Sequence, residues 1–132
     1  MSKPNPADRL YSKDHEWLKD HGDGTATIGI TDYAQEMLTD IVFVELPATG
    51  KEINQGETMA VVESVKSVSD VYAPAGGKVI AANKILEETP ELINKDAFGE
   101  GWIVKIKLAE PAELKTLLSA ADYEKIIKEE KH

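Results

Sequence analysis

The sequence predicts a β-rich α+β domain with a single core. It has 132 residues, of which 42% are hydrophobic and 30% are charged, a mixture typical of one globular unit. Short segments rich in β-branched residues recur between turn residues, as in antiparallel sheets, and from residue 110 onward the apolar spacing becomes helical. We therefore expect one domain over 1–132, with a flexible N-terminus at 1–9 and C-terminal helices at 110–132.

Strand patterns occupy most of the chain between residues 25 and 108. The predicted strands are Thr25–Ile30, Ile41–Leu46, Met59–Ser64, Ser67–Tyr72, Lys78–Asn83 and Trp102–Leu108. Thr31 suits the N-cap of a short helix at 32–38. Residues 85–101 combine acids, Pro90 and glycines, which predicts a surface excursion between two strands. Near the C-terminus, Pro111 suits a first helical position, and Ser119 with Asp122 resembles a capping box that opens a second helix.

Composition excludes several classes of function. The chain has 15 basic and 24 acidic residues, a net charge of −9, which disfavours nucleic-acid binding. No apolar run is long enough to span a membrane. The absence of cysteine removes thiolate metal sites and thiol nucleophiles, and the three histidines have no metal-ligand spacing, so we expect no metal. The N-terminus carries no signal or transit pattern, which predicts a cytoplasmic protein.

One hairpin has an unusual tip. The predicted strands ending at Ser64 and beginning at Ser67 leave Val65 and Lys66 at the bend, without the Gly, Asn or Pro that turns normally use. A lysine at such an apex is exposed, as a covalently attached carrier arm requires. An ordinary solvated turn lysine is the alternative.

Distinctive sequence blocks lie on both sides of this hairpin and cover nearly the whole chain from about Leu10 onward. They are His15–Trp17, Ile28–Gln35, Val42–Pro47, Val62–Lys66, Ser69–Asp70, Tyr72–Pro74, Gly77, Pro90–Asn94 and Gly99–Lys107. Together, and in this order, they resemble the glycine cleavage H-protein family. Three positions depart from the usual pattern: Thr39 and Ser67 replace a glycine and an alanine, and Gly76 replaces a Ser or Ala. Of these, Thr39 implies strain of about 1 kcal/mol if the helix end needs a left-handed residue.

The resemblance implies a fold and a set of site residues. The fold would be a barrel-sandwich hybrid of two antiparallel sheets with short helices, including C-terminal ones. Lys66 would carry lipoate in amide linkage, and Glu63 and Gly77 would be recognised by the lipoylating enzyme. Glu16 and Asp70 would line a cleft that shelters the loaded arm. For the two cleft acids, an ordinary surface or strand-end acid is the alternative, and for Glu63 and Gly77 it is an exposed strand acid and a turn glycine.

The resemblance also implies a function. The chain would be a non-catalytic carrier of the glycine cleavage system, and a monomer. Its lipoyl group would accept an aminomethyl group from glycine decarboxylase (P protein) and present it to the aminomethyltransferase (T protein) for transfer to tetrahydrofolate. Dihydrolipoamide dehydrogenase (L protein) would reoxidise the arm.

Four other functions compete with this interpretation. A biotin carrier would flank its lysine with methionines, whereas Val65 and Ser67 flank Lys66. A lipoyl domain of a 2-oxo-acid dehydrogenase would place Asp before the lysine and would be shorter. A hydrolase using Ser64 and Lys66 would need a desolvated pocket that a hairpin tip does not offer. An acidic interaction protein would follow if the lysine were never modified.

Overall fold

Two antiparallel sheets form the body of the protein, in a computed structural model that describes residues 4–130. The strands of the described residues are β1 (Leu10–Tyr11), β2 (Glu16–Asp20), β3 (Thr25–Ile30), β4 (Ile41–Glu45), β5 (Glu52–Ile53), β6 (Thr58–Ser64), β7 (Val68–Tyr72), β8 (Gly77–Ala82) and β9 (Val104–Leu108). The helices are α1 (Asp32–Leu38), α2 (Ile85–Glu88), α3 (Leu92–Lys95), a 3-10 helix (Pro111–Thr116) and α4 (Ala120–Glu130).

The larger sheet has the strand order β1-β2-β3-β9-β8-β5, and the smaller has the order β4-β6-β7. All the pairings are antiparallel. The sheets do not close into a barrel, and short helices lie at their edges. The two-sheet fold implied by the resemblance is thus confirmed.

The main core lies between the sheets because their strands alternate apolar and polar residues. In β9, for example, Val104 and Ile106 are buried, whereas Lys105 and Lys107 are exposed. A second, smaller cluster is aromatic. It consists of Tyr11, Trp17 and Tyr123 and brings β1, β2 and α4 together.

The described part of the N-terminal stretch contacts this second cluster. The Arg9 guanidinium lies 4.6 Å from the centroid of the Trp17 ring and donates a hydrogen bond of 2.9 Å to the Phe98 carbonyl. The Tyr11 hydroxyl donates to the Pro6 carbonyl at 2.6 Å. Residues 1–3 of the predicted flexible N-terminus lie outside the described residues.

Three sequence expectations need correction. Residues 85–101 are not a surface excursion, since α2 and α3 bury Leu86 and Ile93 in the main core. The pattern beginning at Pro111 forms a 3-10 helix rather than an α-helix, and its Leu114, together with Leu117, packs half-buried against the main core. Strands β1, β2 and β5 were not predicted, because their residues are too few or too charged to show strand periodicity. The second C-terminal helix is confirmed as α4, and residues 131–132 lie outside the described residues.

The short helix α1 begins and ends where the sequence indicates. The Thr31 hydroxyl accepts a hydrogen bond from the Ala34 amide, as an N-cap does. At the other end Thr39 has φ 64° and ψ −147°, a backbone region that is essentially restricted to glycine. The Asn94 side chain holds this conformation by donating to the Thr39 carbonyl at 2.8 Å and accepting from the Ile41 amide at 3.0 Å.

We predict that Thr39→Gly raises the free energy of unfolding by about 1 kcal/mol, because glycine adopts this backbone conformation without steric strain. Urea unfolding monitored by circular dichroism measures the change. Thr89→Gly is the matched control: Thr89 ends α2 with φ −130°, so glycine there should instead lower stability by about 0.5–1 kcal/mol. Equal destabilisation by both substitutions would contradict the prediction.

Candidate functional site

The β6–β7 hairpin carries an exposed lysine at its tip. Its bend, residues 65–67, needs no glycine because the Ser64 side chain supplies the turn bonds. The Ser64 hydroxyl accepts from the amides of Lys66 and Ser67 at 3.2 and 3.0 Å and donates to the Ser67 carbonyl at 3.2 Å. A local side-chain bond of this kind replaces the usual turn residue. The predicted hairpin is therefore confirmed, with its tip centred on Lys66.

The tip is held against the end of α1. The Val65 amide donates to the Asp40 carbonyl at 3.0 Å. The Lys66 side chain is exposed, and its Nζ donates to the Met37 carbonyl at 3.4 Å. These two contacts direct the lysine amine along the surface toward α1.

A narrow cleft of about 100 Å³ begins at Met37. Its apolar wall comes from α1 and from both sheets, and its polar wall comes from β7, from the start of β2 and from the two residues before β2. The apolar lining residues are Ile30, Ala34, Met37, Leu38, Val62 and Val71. The polar lining residues are Asp14, His15, Glu16, Ser69 and Asp70. The cleft thus combines hydrophobic surface with three carboxylates.

Glu16 is the buried acid of this cleft and is 2% exposed. It lies on β2, where it pairs with Ile30, but one carboxylate oxygen accepts from the Tyr72 amide of β7 at 3.1 Å. The other oxygen accepts from the Ser12 hydroxyl. The carboxylate therefore connects the two sheets, and the alternative of an ordinary surface acid is wrong for Glu16.

Burial raises the pKa of Glu16 to about 7. Loss of hydration is the dominant cause, since it penalises the charged form. The hydrogen bonds from Ser12 and the Tyr72 amide oppose the rise, and the nearby charge of Asp14 adds to it. Near neutral pH the group is consequently divided between its protonated and ionised forms, so a nearby cation would shift it toward the carboxylate.

The other predicted site residues have different surroundings. Asp70 is exposed on β7 and lines the cleft. Glu63 is half-buried in β6 and alternates with the buried Val62 and Ser64, so it faces outward. Gly77 is not a turn residue: it is buried at the start of β8, where a Cβ atom would lie 2.2 Å from the Lys107 carbonyl oxygen. Close backbone packing therefore accounts for a glycine at position 77.

The geometry disfavours a hydrolytic site at the hairpin. The Ser64 hydroxyl is engaged by backbone groups of the turn, and the Lys66 amine points to Met37 rather than to Ser64. Within residues 4–130, no group of three or more His, Asp or Glu residues is arranged to hold a metal ion. No helix in that same range is long and apolar enough to cross a bilayer.

Several site residues were not predicted from the sequence. Asp14 is one of them, and the structure places it in the cleft lining. Ser12 could have been suspected, because a serine that precedes a tight bend often bonds the amide two residues later, as Ser12 does with Asp14 at 3.3 Å. Met37 contributes a backbone carbonyl, for which a sequence has no signal.

The two antiparallel sheets form a lipoyl-domain-like fold, with an exposed lysine at one hairpin tip and an acidic cleft beside it. The statistical model of one family, described as Glycine cleavage H-protein, matches residues 9–130 of this chain. The chain is 57% identical over 122 residues to the glycine cleavage system H protein of Opitutus terrae, which covers 92% of this chain and 96% of that protein. It is 52% identical over 125 residues to the protein of the same name from Pseudoalteromonas translucida, covering 95% and 97%.

A solved structure agrees with these relatives. The crystal structure of a glycine cleavage system H protein from Mycobacterium marinum matches with a TM-score of 0.83 and 38% identity, covering 90% of this chain and 95% of that one. The chain belongs to the glycine cleavage H-protein family, the carrier component of the glycine cleavage system.

We predict that Glu16 makes stability depend on pH. In the unfolded chain a glutamate titrates near its ordinary pKa, about 4.3, whereas in the folded protein the pKa is about 7. Between these values the folded state binds more protons, so the stability that Glu16 contributes is complete below about pH 4 and is lost as the pH rises through 7.

The free energy of unfolding of the parent, measured relative to that of Glu16→Gln, should therefore fall by on the order of 3 kcal/mol between about pH 4 and pH 8. Urea titrations across this range measure it. Glu45→Gln, at an exposed position of β4, controls for the loss of one negative charge. Parallel curves for the parent and Glu16→Gln would contradict the prediction.

Proposed function

We propose that this protein carries lipoate on Lys66 and shuttles an aminomethyl group in the glycine cleavage system. The observation that supports this most directly is the contact between the Lys66 amine and the Met37 carbonyl. It places the end of an exposed lysine at the mouth of a cleft lined by carboxylates. An amide on Nζ keeps one N–H, so the same contact remains possible after acylation.

The residues of the cleft fit a lipoyl arm. Lipoate would supply a dithiolane, a disulfide that a cysteine-free chain lacks. Ile30, Leu38 and Val71 offer apolar surface for methylene groups and sulfur. A wider groove of about 370 Å³ is also lined by Asp14 and Glu16, but Met37 lines the narrow cleft and not that groove. We therefore assign the arm to the narrow cleft.

The acids of the cleft would shelter the cargo. An aminomethyl group attached to sulfur is hydrolysed readily in water, so a carrier has to limit its exposure. Its ammonium would favour the ionised form of Glu16, whose burial strengthens a charge pair relative to one in solvent. Asp70 and Asp14 are more exposed and would add a weaker attraction.

The partners follow from the family. We propose that glycine decarboxylase (P protein) loads the arm, the aminomethyltransferase (T protein) unloads it, and dihydrolipoamide dehydrogenase (L protein) reoxidises it. Glu63, which faces outward three residues before Lys66, is available to a lipoylating enzyme. For Gly77, tight packing against β9 is a sufficient explanation, although recognition stays a prediction. The monomeric state, the cytoplasmic location and the absence of catalysis by the chain alone also stay predictions.

We predict that Lys66→Arg abolishes lipoylation, because arginine keeps the positive charge but cannot form the amide. Intact mass and peptide mapping after incubation with a lipoylating enzyme measure the modification. Lys78→Arg is the matched control, since Lys78 is exposed on β8 and should leave lipoylation complete. Lipoate found on Lys51, Lys78 or Lys84 of the Lys66→Arg protein would show that the assignment is wrong.

We predict that Glu16→Gln shortens the lifetime of the loaded arm while the fold and lipoylation of Lys66 are retained. A buried charge pair contributes on the order of 1–3 kcal/mol, so release of ammonia and formaldehyde should become roughly five- to a hundredfold faster. Asp70→Asn is the comparison, and its effect should be smaller, because an exposed pair contributes at most about 1 kcal/mol.

The assay follows ammonia release from loaded protein in the absence of the folate-dependent partner. Circular dichroism and intact mass establish that the variants are folded and lipoylated. If Glu16→Gln releases ammonia at the parental rate, Glu16 has no part in sheltering the cargo.

A further inference from the structure

A chain of hydrogen bonds connects the C-terminal helix to the polar wall of the cleft. The Tyr123 hydroxyl on α4 lies 2.7 Å from Nδ1 of His15 and 2.7 Å from the Thr31 hydroxyl oxygen. The other ring nitrogen of His15, Nε2, lies 3.0 Å from the Glu130 carboxylate, also on α4. Tyr123 is fully buried, whereas His15 lines the cleft. These contacts lie outside both the main core and the lining of the cleft, except for the His15 ring.

One arrangement of donors satisfies every polar group of this chain. The Ala34 amide donates to the Thr31 oxygen at 3.2 Å, and the Thr31 hydroxyl can donate its own hydrogen to Tyr123. Tyr123 then donates to Nδ1 of His15, and Nε2 of His15 donates to the Glu130 carboxylate.

The backbone conformation of His15 connects these hydrogen bonds to the shape of the cleft wall. His15 has φ 71°, a left-handed conformation that residues other than glycine adopt at a cost. Its carbonyl accepts from the Thr31 amide at 3.0 Å, and its neighbours Asp14 and Glu16 both line the cleft. A conformation of this kind persists when surrounding contacts determine it. Both hydrogen bonds of the His15 ring come from α4, and the Tyr33 ring of α1 lies 5.1 Å from it between centroids.

We propose that Tyr123 is a positioning residue for the arm cleft: through His15, the C-terminal helix holds Asp14 and Glu16 in the arrangement that receives the loaded arm. The inference rests on the proposed function. Tyr123 does not line the cleft and acts only by fixing the His15 ring and, with it, the left-handed bend of the cleft wall. The occupant of the cleft would be the ammonium end of the cargo on Lys66.

Tyr123→Phe tests this inference, because it keeps the aromatic ring and removes only the hydroxyl. Tyr11→Phe is the matched control. The Tyr11 ring stacks on the Tyr123 ring, with the centroids 4.9 Å apart, and the Tyr11 hydroxyl donates to the Pro6 carbonyl rather than bonding His15. His15→Asn is the second variant, since asparagine tolerates a positive φ while losing both contacts to α4.

The first readout is the nitrogen NMR spectrum of the His15 ring in protein without lipoate. Tyr123→Phe should change the Nδ1 signal of the parent, because Nδ1 loses its hydrogen-bond partner, whereas Tyr11→Phe should not. The second readout is ammonia release from the loaded, lipoylated chain. Tyr123→Phe and His15→Asn should each accelerate it by roughly three- to tenfold, the factor that corresponds to one hydrogen bond. The double variant should be no faster than the faster single variant, because both break the same connection.

The inference would be overturned if Tyr123→Phe released ammonia at the parental rate or left the Nδ1 signal of His15 unchanged. It would also be overturned if the accelerations of the two single variants multiplied in the double variant. Glu16→Gln, measured in parallel, separates this failure from that of the proposed function. If Glu16→Gln accelerates release and Tyr123→Phe does not, only the positioning role fails. If neither variant accelerates release, the shelter itself is absent.

Discussion

A buried carboxyl group connects the two sheets, and the candidate site is arranged around it. Glu16 belongs to the larger sheet but accepts a hydrogen bond from the Tyr72 amide in the smaller one. Removing a carboxylate from water is costly, and the bonds from Tyr72 and Ser12 offset part of that cost. The part of the cost that these bonds do not offset raises the pKa of Glu16. The same group is thus a structural link, whose burial favours the protonated form, and a cleft acid, which a cationic cargo would ionise.

The hairpin combines an exposed tip with a fixed base, a combination that suits an attachment point. The Ser64 hydroxyl bonds the backbone amides within the bend, and the Asp40 carbonyl accepts from the Val65 amide and so attaches the bend to the end of α1. Val65, Lys66 and Ser67 are left exposed between these two contacts. A glycine at the tip would allow many directions for the lysine, whereas this turn directs Lys66 toward α1. Motion of an attached arm would therefore come from its own single bonds and not from the hairpin.

The second, aromatic cluster joins the two ends of the described chain. The rings of Tyr11 and Tyr123 are stacked with an interplanar angle of 6°, and Arg9 covers Trp17. Trp17 in turn lies across Gly29, where a Cβ atom would be only 2.7 Å from the indole. These contacts place α4 beside the residues that begin β2, which is why a C-terminal tyrosine can reach His15. The cluster is separate from the main core but adjoins one wall of the cleft.

The sequence by itself determined the elements whose signals are local. Strand β3 and helix α1 have the predicted bounds, because β-branched residues and the Thr31 N-cap act within a few positions. The hairpin with Lys66 at its tip was equally visible, and the family motifs indicated Glu16 and Asp70 as cleft acids. Only the tertiary structure decided that Glu16 is buried, that β1, β2 and β5 are strands, and that residues 85–101 contribute to the core. Short or charged segments become strands when a neighbouring strand supplies hydrogen bonds, and a carboxyl group becomes buried when a distant sheet covers it. Both depend on contacts between residues far apart in the chain, such as Glu16 with Tyr72, for which the sequence carries no local periodicity.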